Sequence, residues 1–210
     1  MKKENEKSKL LIFDFDGTIA DTKSLYYRAM EDEIKFFGFS EKKLDKVLDT
    51  GMSLRKTLKN LGLGFIISFF IHRRILRRIE KYVNDVKKCR DVDAIKRIDE
   101  RKIVVTNSLK EFAVPILKHL KLAGTFEKVY GAEDFSDKAE FISDYLKKNK
   151  IKKKDCYYIG DRIADIKLAK KVGCNSVAVS GKCAWNSRAE VLKENPDFLI
   201  TDLADLRKIL

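Results

Sequence analysis

Beyond residue 100 the chain alternates short apolar runs with stretches whose apolar positions recur every three or four residues. Runs near Lys102–Thr106, Glu127–Tyr130, Asp155–Ile159, Ser176–Val179 and Asp197–Ile200 are predicted as strands. They are short and near-continuously apolar, the pattern of strands buried on both faces. Helices are predicted between them, the last starting near Asp202, and Leu10–Phe13 reads as one more buried strand. Strand and helix in alternation imply a parallel sheet covered on both sides and joined by right-handed crossovers.

Between Ala20 and about Ala94 the pattern changes. Leu25/Ala29, Ile34/Phe37, Leu44/Val47/Leu48 and Leu54/Leu58/Leu61 fall at helical spacing, and strand signals vanish. The fold class is therefore α/β, a doubly wound parallel sheet built from residues 1–20 and 95–210. An all-helical domain, residues 21–94, is inserted after the first strand. Its apolar stretch Leu61–Ile71 falls well short of the ~20 residues that span a bilayer. It is predicted to pack inside a helical bundle, so no membrane association is expected. Phe65–Ile71 is a candidate interface, and a monomer or homodimer is expected. The N-terminal MKKENEKSK is too charged, and followed by too brief an apolar run, for a signal peptide.

With 210 residues, 44% apolar, and only two prolines, the chain can bury a sizeable core and lacks linker character. Cys89, Cys156, Cys174 and Cys183 show no C-x-x-C spacing and lie mostly beside predicted core strands. They read as buried reduced thiols of a cytoplasmic protein. A net charge of +13 would suit a nucleic-acid partner. The lysines, however, are spread over the whole chain without a basic stripe interleaved with aromatics, so nucleic acid is not expected. Arg73, Arg74, Arg77 and Arg78 are predicted as the solvated flank of an amphipathic helix, with a patch for an anionic partner as the alternative.

The candidate chemistry starts at LLIFDFDGTIADT, Leu10–Thr22, where Asp14 and Asp16 stand at the mouth of the first strand. Gly17 permits a sharp turn there, and the carboxyl edge of an open α/β sheet is where ligands bind. The two acids are expected to point to opposite sides of the extended segment, one facing a reacting atom and the other beside it. That suits a carboxylate nucleophile, a general acid and a metal ion. Alone, such a pair reads equally well as a strand end and a helix cap. Three further elements follow: IVVTNS at Ile103–Ser108, Lys138 opening the helical AEFISDYLKK, and YYIGDRIADIKLAKKVG at Tyr157–Gly173. The last is a strand ending in Gly160–Asp161, with Asp165 in the first helical turn.

As an ordered set these residues resemble the haloacid dehalogenase-like superfamily of phosphatases, over nearly the whole chain. The carriers are D-x-D-G-T at Asp14–Thr18, the hydroxyl of Thr106, Lys138, and G-D-x-x-x-D at Gly160–Asp165. The resemblance implies a Rossmann-like core with an inserted helical cap, as in phosphoglycolate phosphatase-like and β-phosphoglucomutase-like members. Ser187–Leu206 favours the former. One departure is visible: the family often reads K-P-x-P where this chain has Lys138–Ala139–Glu140, without a proline to pre-set the turn.

The resemblance further implies that Asp14 forms an aspartyl-phosphate, while Asp16 protonates the leaving oxygen and later deprotonates water. Thr106 and Lys138 would hold the phosphoryl oxygens, and Gly17, Thr18 and Asn107 would line the phosphate site. Mg²⁺ would be held by the Asp14 side chain, the Asp16 backbone carbonyl and Asp161, with Asp165 in support. Arg55 and Lys56, in GMSLRKTL, are candidates for gripping the leaving group. The expected substrate is a small phosphorylated metabolite. Asp16 argues against dehalogenation, because halide leaves without a proton. A phosphomutase of the β-phosphoglucomutase type, a phosphonate hydrolase and a non-catalytic binding module are the alternatives.

Overall fold

The first apolar run forms the centre of the sheet. In the computed structural model, which describes residues 9–36, 40, 58–60, 62 and 65–210, the strands are, in chain order, β1 (Leu10–Phe13), β2 (Ala20–Asp21), β3 (Lys87–Lys88), β4 (Arg101–Val105), β5 (Lys128–Tyr130), β6 (Cys156–Gly160), β7 (Asn175–Val179) and β8 (Phe198–Ile200). The helices are α1 (Lys23–Phe36), α2 (Phe65–Tyr82), α3 (Lys110–His119), α4 (Lys138–Lys148), α5 (Ile163–Val172) and α6 (Arg188–Leu192). Each predicted strand is present, displaced by at most one residue at either end.

Six strands form one sheet in the order β5-β4-β1-β6-β7-β8, and every pairing is parallel. Leu11, Phe13, Val104, Ile159 and Val177 pack into one buried cluster with Phe112, Ile116, Leu203 and Leu206. Leu10, Ile12, Ile103, Val105 and Tyr158 pack into another with Ala139, Ile142 and Leu146 of α4 and Ala169 and Val172 of α5. Cover on both faces is why these strands read as unbroken apolar runs. All four β1 side chains are fully buried, worth about 1.5–3 kcal/mol each. The chain runs outward from β4 to β5, then crosses back to β6 on the far side of β1. The carboxyl ends of β4, β1 and β6 thus border a topological switch point, where open α/β sheets bind ligands.

The insert contains strand after all. β2 and β3 pair antiparallel, Ala20 with Lys88 and Asp21 with Lys87, and bracket α1 and α2. Two residues per strand are too few to leave a period in the sequence. α1 and α2 pack on each other, and α2 buries Ile71, Ile75 and Ile79 at four-residue spacing. Arg73, Arg74 and Arg77 are exposed, as expected, with Arg78 half-buried.

The prediction that Leu61–Ile71 packs inside a bundle needs correction. Ile67, Phe69 and Phe70 are 45%, 50% and 61% exposed, because the helix turns only one stripe inward. Leu44, Val47, Leu48, Leu54, Arg55 and Lys56 lie outside the described residues. The last predicted helix is a 3₁₀ segment, Leu203–Lys208, with Leu203 and Leu206 buried at its three-residue repeat. Among the described residues no helix is long and apolar enough to cross a membrane.

Candidate active site

At the end of β1 the Asp14 N–H still donates to Ile159 O, at 2.8 Å, and then the backbone turns. Gly17 has φ of +83°, and its N–H donates to Ala20 O at 2.9 Å. Two positions apart on a continuing strand, Asp14 and Asp16 would share a face. The turn instead sends them to different partners, so they diverge for a reason other than strand alternation. Lys138 Nζ donates to Asp14 Oδ1 at 2.8 Å, a buried ion pair. Asp16 is held by hydroxyls: Thr22 Oγ1 donates to Oδ1 at 2.7 Å, and Ser108 Oγ donates to Oδ2.

A Cβ at position 17 would lie 2.4 Å from Trp185 Cδ1 and 2.5 Å from Asp161 Oδ2. Glycine is therefore required twice, by backbone conformation and by close approach. Gly17→Ala is expected to destabilise the fold by about 1–3 kcal/mol and to displace Asp161. Denaturant melts check it, and an unchanged midpoint would show that the turn relaxes freely.

The remaining pieces arrive from the neighbouring strand ends. Thr106, fully buried after β4, accepts the Ser108 N–H at 3.0 Å and lies 3.4 Å from Asp16 Oδ2. Its hydroxyl thus rests against a carboxylate, and Asn107 is half-buried beside it. At α4 the missing proline is replaced by a cap: Asp137 accepts from the Ala139 and Glu140 N–H groups at 2.7 and 3.0 Å. That fixes the helix start and delivers Lys138 to Asp14.

After β6, Asp161 is fully buried. It accepts from Thr18 Oγ1 at 2.8 Å and from the Trp185 N–H at 2.7 Å. Asp165 accepts from the Arg162 N–H at 2.9 Å and from Tyr158 OH at 3.3 Å. A Cβ on residue 160 would sit 2.4 Å from Asp165 Cγ, so Gly160 makes room for that acid.

Carboxylate oxygens of Asp14, Asp161 and Asp165 lie within 4.8 Å of one another; the Asp16 side chain is not part of that group. Burial, then the Asp165 charge, pushes Asp161 well above the usual carboxylate range. Burial and the Asp14 charge push Asp165 up to about 6. Asp16 is raised by burial and by Asp14, against the pull of Ser108, Thr22 and Arg162. Four acids share this region with two cations, Lys138 and Arg162. The grouped carboxylate oxygens of Asp14, Asp161 and Asp165 form an all-oxygen donor set that suits a hard cation. The residues present therefore fit a divalent metal.

Ser108, Thr22, Tyr26, Arg162 and Trp185 also belong to the site, without having been predicted for it. Ser108 was legible as a second hydroxyl two places after Thr106, and Thr22 and Tyr26 as a polar pair four apart at a helix start. Trp185 had no signal; it lies in a loop without periodicity. Its ring carries the Arg162 guanidinium at 3.8 Å, and its Nε1 is buried without a hydrogen-bond partner among the described residues.

Acids at the carboxyl edge of a doubly wound parallel sheet, with a lysine on the first of them, define an enzyme that handles an anionic group. The chain belongs to the haloacid dehalogenase-like hydrolases, whose pattern it matches over residues 11–179. It is similar to phosphoglycolate phosphatase of Aquifex aeolicus (strain VF5), with 27% identity over 212 residues covering 96% of each chain. Its fold resembles that of a haloacid dehalogenase-like family hydrolase from Streptococcus pneumoniae (TM-score 0.80, 18% identity, 97% of this chain and 99% of that one). It also resembles CbbY from Rhodobacter sphaeroides in complex with phosphate (TM-score 0.79, 18% identity, 95% and 96%).

Proposed function

We propose that the protein is a Mg²⁺-dependent phosphatase that hydrolyses small phosphate monoesters through an aspartyl-phosphate on Asp14. The observation that carries the reading is the pairing of Asp14 with Lys138, beside a second acid held by hydroxyls rather than by a cation. Family membership and the Aquifex relative support it.

In this mechanism an Asp14 oxygen attacks phosphorus, in line with the ester oxygen. Lys138 neutralises charge between the carboxylate and the phosphoryl group. Backbone N–H groups of the Phe15–Thr18 turn, other than that of Gly17, which donates to Ala20 O, add donors, and Thr106 and Asn107 would border the same space. Asp16 gives its proton to the departing alkoxide, then takes one from the water that attacks the acyl phosphate, which restores both acids and releases phosphate. Asp14, Asp161 and Asp165, with the Asp16 backbone carbonyl, would hold Mg²⁺, whose charge would offset that of the phosphoryl oxygens.

The insert, residues 21–94, would cover the site as a cap and exclude water. Arg55 and Lys56 belong to it as leaving-group contacts outside the described residues. The test is phosphate release from a panel of phosphorylated metabolites with Mg²⁺, starting with 2-phosphoglycolate. Release from at least one is expected. Bisphosphate-dependent isomerisation with little free phosphate would make the protein a mutase instead, and no reaction with any ester would overturn the reading.

A further inference from the structure

Asp16 is gripped from one helix start and one strand end. Thr22, just before α1, takes Oδ1, and Ser108, just after β4, takes Oδ2. Behind Ser108 stands a third hydroxyl: Tyr26 OH lies 2.5 Å from Ser108 Oγ, and either atom can be the donor. Thr22 and Tyr26 are one helical turn apart, joined by the Tyr26 N–H to Thr22 O bond at 3.1 Å, so both face the acid together. Burial keeps the Tyr26 phenol protonated, and Tyr26 also packs against the Trp185 ring at 6.1 Å.

In the proposed function Asp16 delivers a proton to the leaving oxygen, so the direction in which its carboxyl faces is part of its role. Three side chains set that direction: Thr22 donates to Oδ1, Ser108 donates to Oδ2, and Thr106 Oγ1 lies 3.4 Å from Oδ2. Ser108 is a short rotor, and the Tyr26 hydroxyl beside it fixes where its Oγ stands and so how it meets Asp16.

We propose that Tyr26 is a positioning residue for Asp16: through Ser108 it fixes the Oδ2 side of the carboxyl, and with it the direction in which the acid faces the leaving oxygen. The proposal rests on the acid–base role assigned to Asp16 above. It predicts a defect that depends on the leaving group. An alkyl phosphate needs a proton on its departing oxygen, whereas p-nitrophenolate leaves without one.

The experiment compares kcat/KM, which reports the step up to alcohol release, for an alkyl phosphate and for p-nitrophenyl phosphate. Tyr26→Phe is expected to lose about tenfold more on the alkyl ester than on the aryl ester, a fraction of the ~10²–10⁴ that a general acid supplies. Ser108→Ala should show at least the same selectivity. In an Asp16→Asn background neither change should alter the ratio, since no acid remains to be positioned. Equal losses on both esters, or no loss on either, would overturn the positioning role while leaving the phosphatase reading intact. A wild-type protein that hydrolyses neither ester would sink that reading and the positioning role with it.

Discussion

Asp14→Asn should reduce phosphate release by about 10³-fold or more, because an amide oxygen cannot form the acyl phosphate that a carboxylate nucleophile forms. The substitution keeps the volume of the side chain and an oxygen that can still accept from Lys138 Nζ, now 2.8 Å from Asp14 Oδ1. Lys138 therefore stays paired. The change also removes a negative charge that raises the carboxyls of Asp16, Asp161 and Asp165. The fold should accordingly survive, with a melting temperature close to that of the parent. Acid quenching of wild-type turnover should trap one phosphoryl group on the peptide containing Asp14, and none on the variant. Residual activity above ~1% would place the nucleophile on another residue.

The parts of this molecule that sequence revealed are those governed by short-range rules. Leu10–Phe13 and Ile103–Val105 are legible as strands because burial on both faces writes an unbroken apolar run. Asp14, Thr106 and Asp161 are legible because each directly follows such a run, and a parallel sheet gathers the carboxyl ends of its strands at one edge. What escaped depends on tertiary approach. Gly17 could be seen to favour a turn, but the need for empty space beside it comes from Trp185 and Asp161, well over a hundred residues away. Ser108 and Tyr26 meet although 82 positions apart in the chain. The pairing of β2 with β3 spans two residues on each side and is too short to write a period.

The divergence of Asp14 and Asp16 illustrates the limit from the other side. Asp14 meets Lys138 while Asp16 meets Thr22 and Ser108, whereas a regular strand would have set both acids on one face. The cause is a turn whose tightness only the packed loops around Gly17 and Trp185 explain. A motif therefore announces which residues take part, while the loops packed on it decide which atoms they face.

Removing divalent metal with excess EDTA should stop turnover, and stability should carry a pH signature of the same site. Without a metal, burial and the Asp14 charge hold the Asp165 carboxyl at about 6, so the native protein keeps a proton there that the unfolded chain releases near its ordinary value of 3.8. Between about pH 4 and 6 the native state binds more protons than the unfolded one. This group's contribution to stability is therefore present at low pH and lost as pH rises through that window. Asp161 and Asp16, also raised, act with the same sign. A cation held by these oxygens needs them ionised, so protons compete with it. Mg²⁺ should accordingly raise the melting temperature more at about pH 8 than at about pH 5, by up to ~2.7 kcal/mol of stability at a hundredfold excess over Kd. Exposed acids such as Asp137, pulled down to about 2 by Lys171, titrate alike with and without metal and cancel in the difference. Undiminished turnover in EDTA would remove the metal from the mechanism. A Mg²⁺-induced shift equal at both pH values would show that Asp14, Asp161 and Asp165 do not hold it.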